Sequence, residues 1–355
     1  MFSDKNMKKY INLFIVNLWL TVNVCAQGIT VQSGDLKFCL QGYGQANYNI
    51  KDTNDETTNK FEIARVILMP DLQLTPKLNF FAMIDIAAKS SDRYMHEYWG
   101  QYNFCDAFKV KFGQSKIPFS IENPLAPILV GNVFFHEGLI YLAGIGGDPT
   151  YGNFVGRDLG LSVSGDVFKS ENGYHHVSYS IGVFNGSGMN QVENNNQKDL
   201  VMKLDFKPCK NITLSTSTYL GTGHAIADDP YGQFAKDDDY KRQRWAIGVE
   251  ADLKQFYLRS EYLRGWNEGT PSQSAYAEAW LKLIKLKKQK QSIDLVLDYE
   301  YFDRNILQNN ITRNYMAGVQ WWFYKLCRLS SLFQFKDPLD GNTTRCWVTQ
   351  MQLAF

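Results

Sequence analysis

What the chain lacks narrows it first. After the N-terminal segment, no stretch reaches the roughly 18 apolar residues that a membrane-spanning helix needs. Charge of neither sign dominates: 37 Lys and Arg face 36 Asp and Glu, so bulk electrostatics gives no argument for nucleic acid or another polyanion as partner. Proline is scarce, at 10 of 355 residues, which leaves room for long uninterrupted strands. Cysteine is sparse as well. Beyond Cys25 there are Cys39, Cys105, Cys209, Cys327 and Cys346. That odd number at irregular spacing is neither a disulfide framework nor a zinc site. The residues read as free thiols or small apolar fillers, with pairing in an oxidising compartment the alternative. Histidine is scarcer than most types: His96, His136, His175, His176 and His224. None sits in a recognisable catalytic motif, and the His175-His176 pair has no matching ligand cluster. An enzyme would need a nucleophile with a base beside it, so no enzymatic activity, cofactor or metal is expected.

What is present points to export and to strands. Lys8 and Lys9 form a basic start, Ile11 to Val24 an apolar run interrupted by asparagines, and Val24-Cys25-Ala26 a small-residue cleavage site. This reads as a signal peptide over 1–26, with the mature domain over 27–355. Met7 is an alternative start, and Cys25 a lipoprotein cysteine in a rival reading. Tyr (20) and Phe (23) are abundant. Apolar residues alternate with polar ones through nearly the whole mature chain. Leu36, Phe38 and Leu40 oppose Lys37 and Gln41; Phe108, Val110 and Phe112 oppose Lys109 and Lys111; Leu159, Leu161 and Val163 oppose Asp158, Ser162 and Ser164. About sixteen such segments can be counted. In the segment 60–74 the parity is ambiguous, since Arg65 and Ile67 share one face and Val66 and Leu68 the other.

The connections between segments alternate between short and long. Short ones fall near 75–77, 105–107, 169–173, 208–211, 253–255, 285–292 and 325–326. Long ones are expected at 50–59, 89–93, 117–156, 185–198, 221–242, 265–273, 304–311 and 337–343. This sorting fits a closed antiparallel transmembrane β-barrel of about 16 strands, with short periplasmic turns and long extracellular loops. A closed sheet has no edge, so every backbone polar group finds a partner in hydrocarbon. Aromatic residues at strand ends, among them Tyr48, Trp99, Tyr102, Trp245, Trp266, Trp321, Trp322, Tyr324 and Trp347, suit interfacial girdles. The last strand ends Gln-Leu-Ala-Phe355. It resembles the closing strand of outer-membrane barrels, which their assembly machinery reads. The outer membrane of a Gram-negative bacterium is therefore the expected location, with its lipid as solvent.

The connection 117–156 is the third outside loop, and its length implies function. It is expected to fold inward and narrow the lumen. It carries no Lys or Arg, so positive charge at the narrowing has to come from the wall. Its aromatics (Phe134, Phe135, Tyr141, Tyr151, Phe154) suit an alternative, a plugged structural or adhesive barrel.

Three motifs carry a family resemblance: Phe61-Glu-Ile-Ala-Arg65, Gly113-Gln-Ser-Lys-Ile-Pro-Phe119 with Glu122, and Gly156-Arg-Asp-Leu-Gly160. Their order and spacing resemble the phosphate-selective porin O and P family. The resemblance implies a sixteen-stranded homotrimeric porin that passes anions such as phosphate or polyphosphate through a channel lined by basic side chains. On the motifs these are Arg65, Lys116 and Arg157. Face parity adds Lys109, Lys111 and Arg259. The early strand has one Arg where family members often carry several. Asp85, Asp158, Asp166, Glu261 and Glu278 share the luminal face, so a general, weakly selective pore is the alternative.

Overall fold

The computed structural model describes residues 23–25, 28–53, 56–89, 94–144, 156–286 and 291–355. Of the N-terminal segment 1–26, only Asn23–Cys25 falls among them. This short strand (β1) pairs with Gly28–Ser33 (β2). The barrel proper is a closed ring of sixteen antiparallel strands: Leu36–Thr53 (β3), Glu56–Gln73 (β4), Leu78–Asp85 (β5), Met95–Cys105 (β6), Phe108–Lys116 (β7), Arg157–Lys169 (β8), His175–Phe184 (β9), Asp199–Cys209 (β10), Ile212–His224 (β11), Asp239–Asp252 (β12), Phe256–Asn267 (β13), Thr270–Leu286 (β14), Gln291–Asp303 (β15), Ile311–Tyr324 (β16), Cys327–Pro338 (β17) and Thr344–Ala354 (β18). Consecutive strands pair, and β18 closes the ring on β3. Closure is completed below by β2, which pairs with Leu36–Leu40 where β18 has ended. Phe355 exchanges two backbone hydrogen bonds with Gly42, at 3.2 and 3.0 Å. β2 and the last residue, Phe355, thus follow one another along β3.

The alternation read from the sequence is the alternation of the wall. Phe112, Leu161, Ile247, Leu297 and Leu353 point outward and are exposed, where lipid would cover them. Arg244, Glu278, Gln320 and Gln352 point inward and are buried. A bulge resolves the ambiguous parity of β4. Arg65 pairs with Gln45 and Ile63 with Ala46, which leaves Ala64 unpaired. An unpaired residue switches the faces downstream. Phe61 and Ile63 therefore face outward, while Ile67 is sealed inside.

Two expected long loops are absent. Of the connection placed at 50–59, residues 50–53 and 56–59 are strand, since β3 and β4 pair up to Thr53 and Glu56. That placed at 265–273 is the tight turn at Glu268-Gly269, with Asn267 paired to Thr270. Both turn residues have positive φ, 47° and 114°, the mirror-image hairpin geometry that matches strand twist and favours glycine. Polar residues above the apolar band concealed these strand extensions. Two tryptophans assigned to girdles also face inward: Trp99 lines the lumen, and Trp322 lies under Arg328, 5.0 Å from its guanidinium carbon.

The lumen and its candidate channel

The connection after β7 does fold inward, and the described part of it crosses the lumen. Its ends are stitched together. Ile117 N donates to Gly156 O at 3.1 Å, and Asn123 Nδ2 donates to Ile117 O and Gly156 O at 2.9 and 3.0 Å. Beyond the strand the chain runs to the β11–β13 wall. There Ser120 N donates to Ser217 Oγ, and Ser120 Oγ and Ile121 N donate to the two carboxylate oxygens of Glu261. It then reaches β17 and β18, where Arg328 Nη2 donates to Val130 O at 2.6 Å. A return pass ends in a short helix, Glu137–Leu142 (α1). The first two amides of α1 donate to Glu300 at 2.9 and 2.8 Å, a carboxylate at the positive helix end. Tyr151 and Phe154, cited above for a plug, lie outside the described residues.

Two kinds of contact hold this loop. The first is apolar. Ile117, Phe119, Leu139, Tyr141 and Leu142 pack with inward side chains of β10 to β15, including Val201, Tyr219, Tyr240, Leu263 and Phe302. The second is a buried ionic cluster. The ring nitrogens of His136 lie 2.6 Å from Glu122 and 2.9 Å from Asp298, and the ring stacks on Tyr276. Only the doubly protonated imidazolium donates to both carboxylates. Burial opposes charge on His136, but Glu122 and Asp298 overcome it and hold the imidazolium well above the ordinary histidine range. Burial likewise pushes the Glu122 carboxyl up, yet His136 and Arg259 outweigh it and bring it below its ordinary value. Arg259 completes the cluster, paired with Glu278 and 3.7 Å from Glu122. The loop comes so close here that a Cβ on Gly131 would stand 2.1 Å from Trp280 Nε1. Among the described residues, the lumen along β11 to β18 is therefore occupied by the loop.

The other side stays open. Between the loop and the β4–β10 wall lies a cavity of about 400 Å³. Lys111, Lys116 and Lys203 line it, together with Glu97 and Asp205. Both carboxylates are engaged: Glu97 by Arg157 at 3.1 Å and Asp205 by Lys203 at 2.9 Å. The Lys111 ammonium sits 4.2 Å from the centre of the Trp99 ring. The Lys116 ammonium donates to Leu125 O on the loop. Neither is paired with a carboxylate among the described residues.

The six basic residues expected on the channel wall thus have different fates. Lys111 and Lys116 open on the cavity, and Arg157 stands behind it on Glu97. Lys109 is paired with Asp166 at 2.6 Å. Arg65 borders a crevice of only about 10 Å³ beside Phe134 and Phe135. Arg259 requires a correction: parity does put it on the inner face, but the loop seals it completely and its charge is spent on Glu122 and Glu278. Lys203 and Asp205 escaped notice although they alternate with Met202 and Leu204, so parity alone could have found them. Glu97 and Trp99 were hidden by the girdle reading.

No family model matches the chain, and no curated protein matches it by sequence. Solved structures resemble it in fold. The anion-selective porin of Comamonas acidovorans superposes with a TM-score of 0.67 at 10% identity, over 90% of this chain and 100% of that one. OprB of Pseudomonas putida gives 0.62 at 10% identity, over 90% and 94%. The trimer form of OmpT, an outer-membrane protein of Vibrio cholerae, gives 0.59 at 11%, over 89% and 99%. At such identities the likeness is one of architecture. The barrel shares the fold of these outer-membrane proteins.

Proposed function

We propose that this chain is an outer-membrane porin through which small solutes diffuse, with a preference for anions. The observation that carries the reading is the open cavity whose two carboxylates are neutralised by Arg157 and Lys203, leaving Lys111 and Lys116. A fixed positive field at a narrow, water-filled point raises the local concentration of anions. The mixed lining supports modest rather than stringent selection. The description of the Comamonas porin as anion-selective agrees with this. The three motifs that resemble the phosphate-selective family extend the preference to phosphate. A homotrimer is part of the proposal, in keeping with the trimer form of the Vibrio protein. So is export through a signal peptide over 1–26, with assembly directed by the strand ending at Phe355.

Reversal potentials in a planar bilayer under a KCl gradient test the reading. Stepwise conductance with a potential of the sign set by chloride is expected. Replacing Lys111 and Lys116 together by Gln moves that potential towards zero. A chain that yields no steps is the plugged barrel instead, and cation preference in the unaltered chain overturns the anion reading.

A further inference from the structure

The lining of the open cavity is divided by chemistry around the arc of the wall. Strands β4, β5 and β6 contribute Met69, Phe81, Met83 and Trp99, and the loop adds Pro118 and Pro124. Strands β7 and β10 contribute Lys111, Lys116 and Lys203, with Ser178 and Ser180 of β9 between them. The β4–β6 side of the cavity is therefore largely apolar, broken by Glu97, which is held by Arg157, and the other side carries cations, hydroxyls and Asp205. Water against an apolar wall is readily displaced by an apolar body, and burial of that body is favourable. Phe81 stacks on one side of Trp99, with ring centroids 5.1 Å apart. The apolar side is thus a preformed surface of fixed side chains.

We infer that this cavity is a binding site for amphipathic organic monoanions, of the class of a carboxylate on an aromatic or branched apolar body. The proposal rests on the channel reading above and names the solute class of the same site. The carboxylate meets Lys111 and Lys116, which have no carboxylate partner among the described residues. The apolar body meets Met69, Phe81 and Met83. Inorganic phosphate gains the first contact but not the second, so it passes without the added hold of the apolar side.

Current block separates the two levels of the argument. Channels reconstituted in a planar bilayer in KCl are titrated with sodium benzoate, sodium acetate and inorganic phosphate at equal ionic strength. Benzoate is expected to halve the current at roughly a tenfold lower concentration than acetate or phosphate, the ratio given by burying about two methylene groups' worth of apolar surface. Phe81→Ala removes most of that advantage, bringing block by benzoate to within about twofold of block by acetate. Met69→Gln, which keeps the side chain's length, does the same should Phe81→Ala fail to assemble. Lys111→Gln weakens block by all three anions. Equal block by benzoate and acetate overturns the inference while leaving the porin standing, as does an unchanged benzoate response in both apolar variants. Absence of conductance steps overturns the porin and the inference together.

Discussion

The two halves of the lumen use the same kinds of residue to opposite ends. Along β11 to β18, Arg259 and His136 are sealed against Glu122, Glu278 and Asp298, and the charges hold a loop in place. Along β4 to β10, Lys111 and Lys116 border open space, and under the proposed function those charges meet a solute. The difference lies in what covers the wall. The loop brings its own carboxylate, Glu122, and its own amides to one side, and its proline-bearing segment only to the edge of the other. A basic residue on the inner face of a barrel is therefore not by itself a channel residue. It becomes one where the loop leaves it uncovered.

The largest expected effect breaks the packed half. Arg259→Met leaves Glu278 buried without its cation, while Glu122 keeps His136. Removing one partner of a buried pair costs about 3–5 kcal/mol. Unfolding of the detergent-solubilised barrel in denaturant should register a loss of that order, and the released loop should make single-channel current noisy. A stable variant with quiet current would mean that the apolar contacts alone hold the loop.

A smaller effect comes from pH. The raised His136 stabilises the clamp fully below the ordinary histidine pKa, and its contribution is lost as pH rises through the raised value. The lowered Glu122 contributes fully above the ordinary carboxylate range, and its contribution is lost as pH falls through the depressed value. The clamp is thus complete between about pH 5 and 6, where both conditions hold, and current noise should be lowest there and rise at the alkaline and acid extremes. Noise that grows steadily through pH 6 to 7 would show that His136 titrates as an ordinary histidine and does not carry the clamp.

The smallest effect sharpens the boundary of the open half. Lys109→Gln should leave ion preference almost unchanged, because Asp166 already balances that charge at 2.6 Å. The pair is partly exposed, so its loss costs about 0–1 kcal/mol of stability. Lys111→Gln, two residues along the same strand, should shift the reversal potential clearly. Equal shifts from both variants would extend the selective region beyond the cavity.

Much of this was legible in the chain. Period-2 alternation is local, and it marked the strands, their faces and the closing role of the segment ending at Phe355. Where it failed, a local device intervened. The unpaired Ala64 switches parity in β4, and the polar continuations of β3 and β4 and the Glu268-Gly269 turn have the composition of loops. The inward loop was signalled by its length and its lack of strand pattern, and its lack of Lys and Arg assigned positive charge to the wall.

Which part of the wall it would leave uncovered was decided only by the tertiary structure. Arg259 and Lys111 are equivalent by pattern, each a basic residue on the polar face of a strand. They part because Glu122, 137 positions away in the chain from Arg259, is carried across the lumen, and His136 meets Asp298 across 162 positions. Strand alternation follows from the geometry of neighbouring residues. The path of a loop follows from long-range packing and from the cost of leaving a buried charge alone, and no local pattern encodes either. The sequence thus determined a barrel with a loop inside it. The fold decided which lysines remain for a solute.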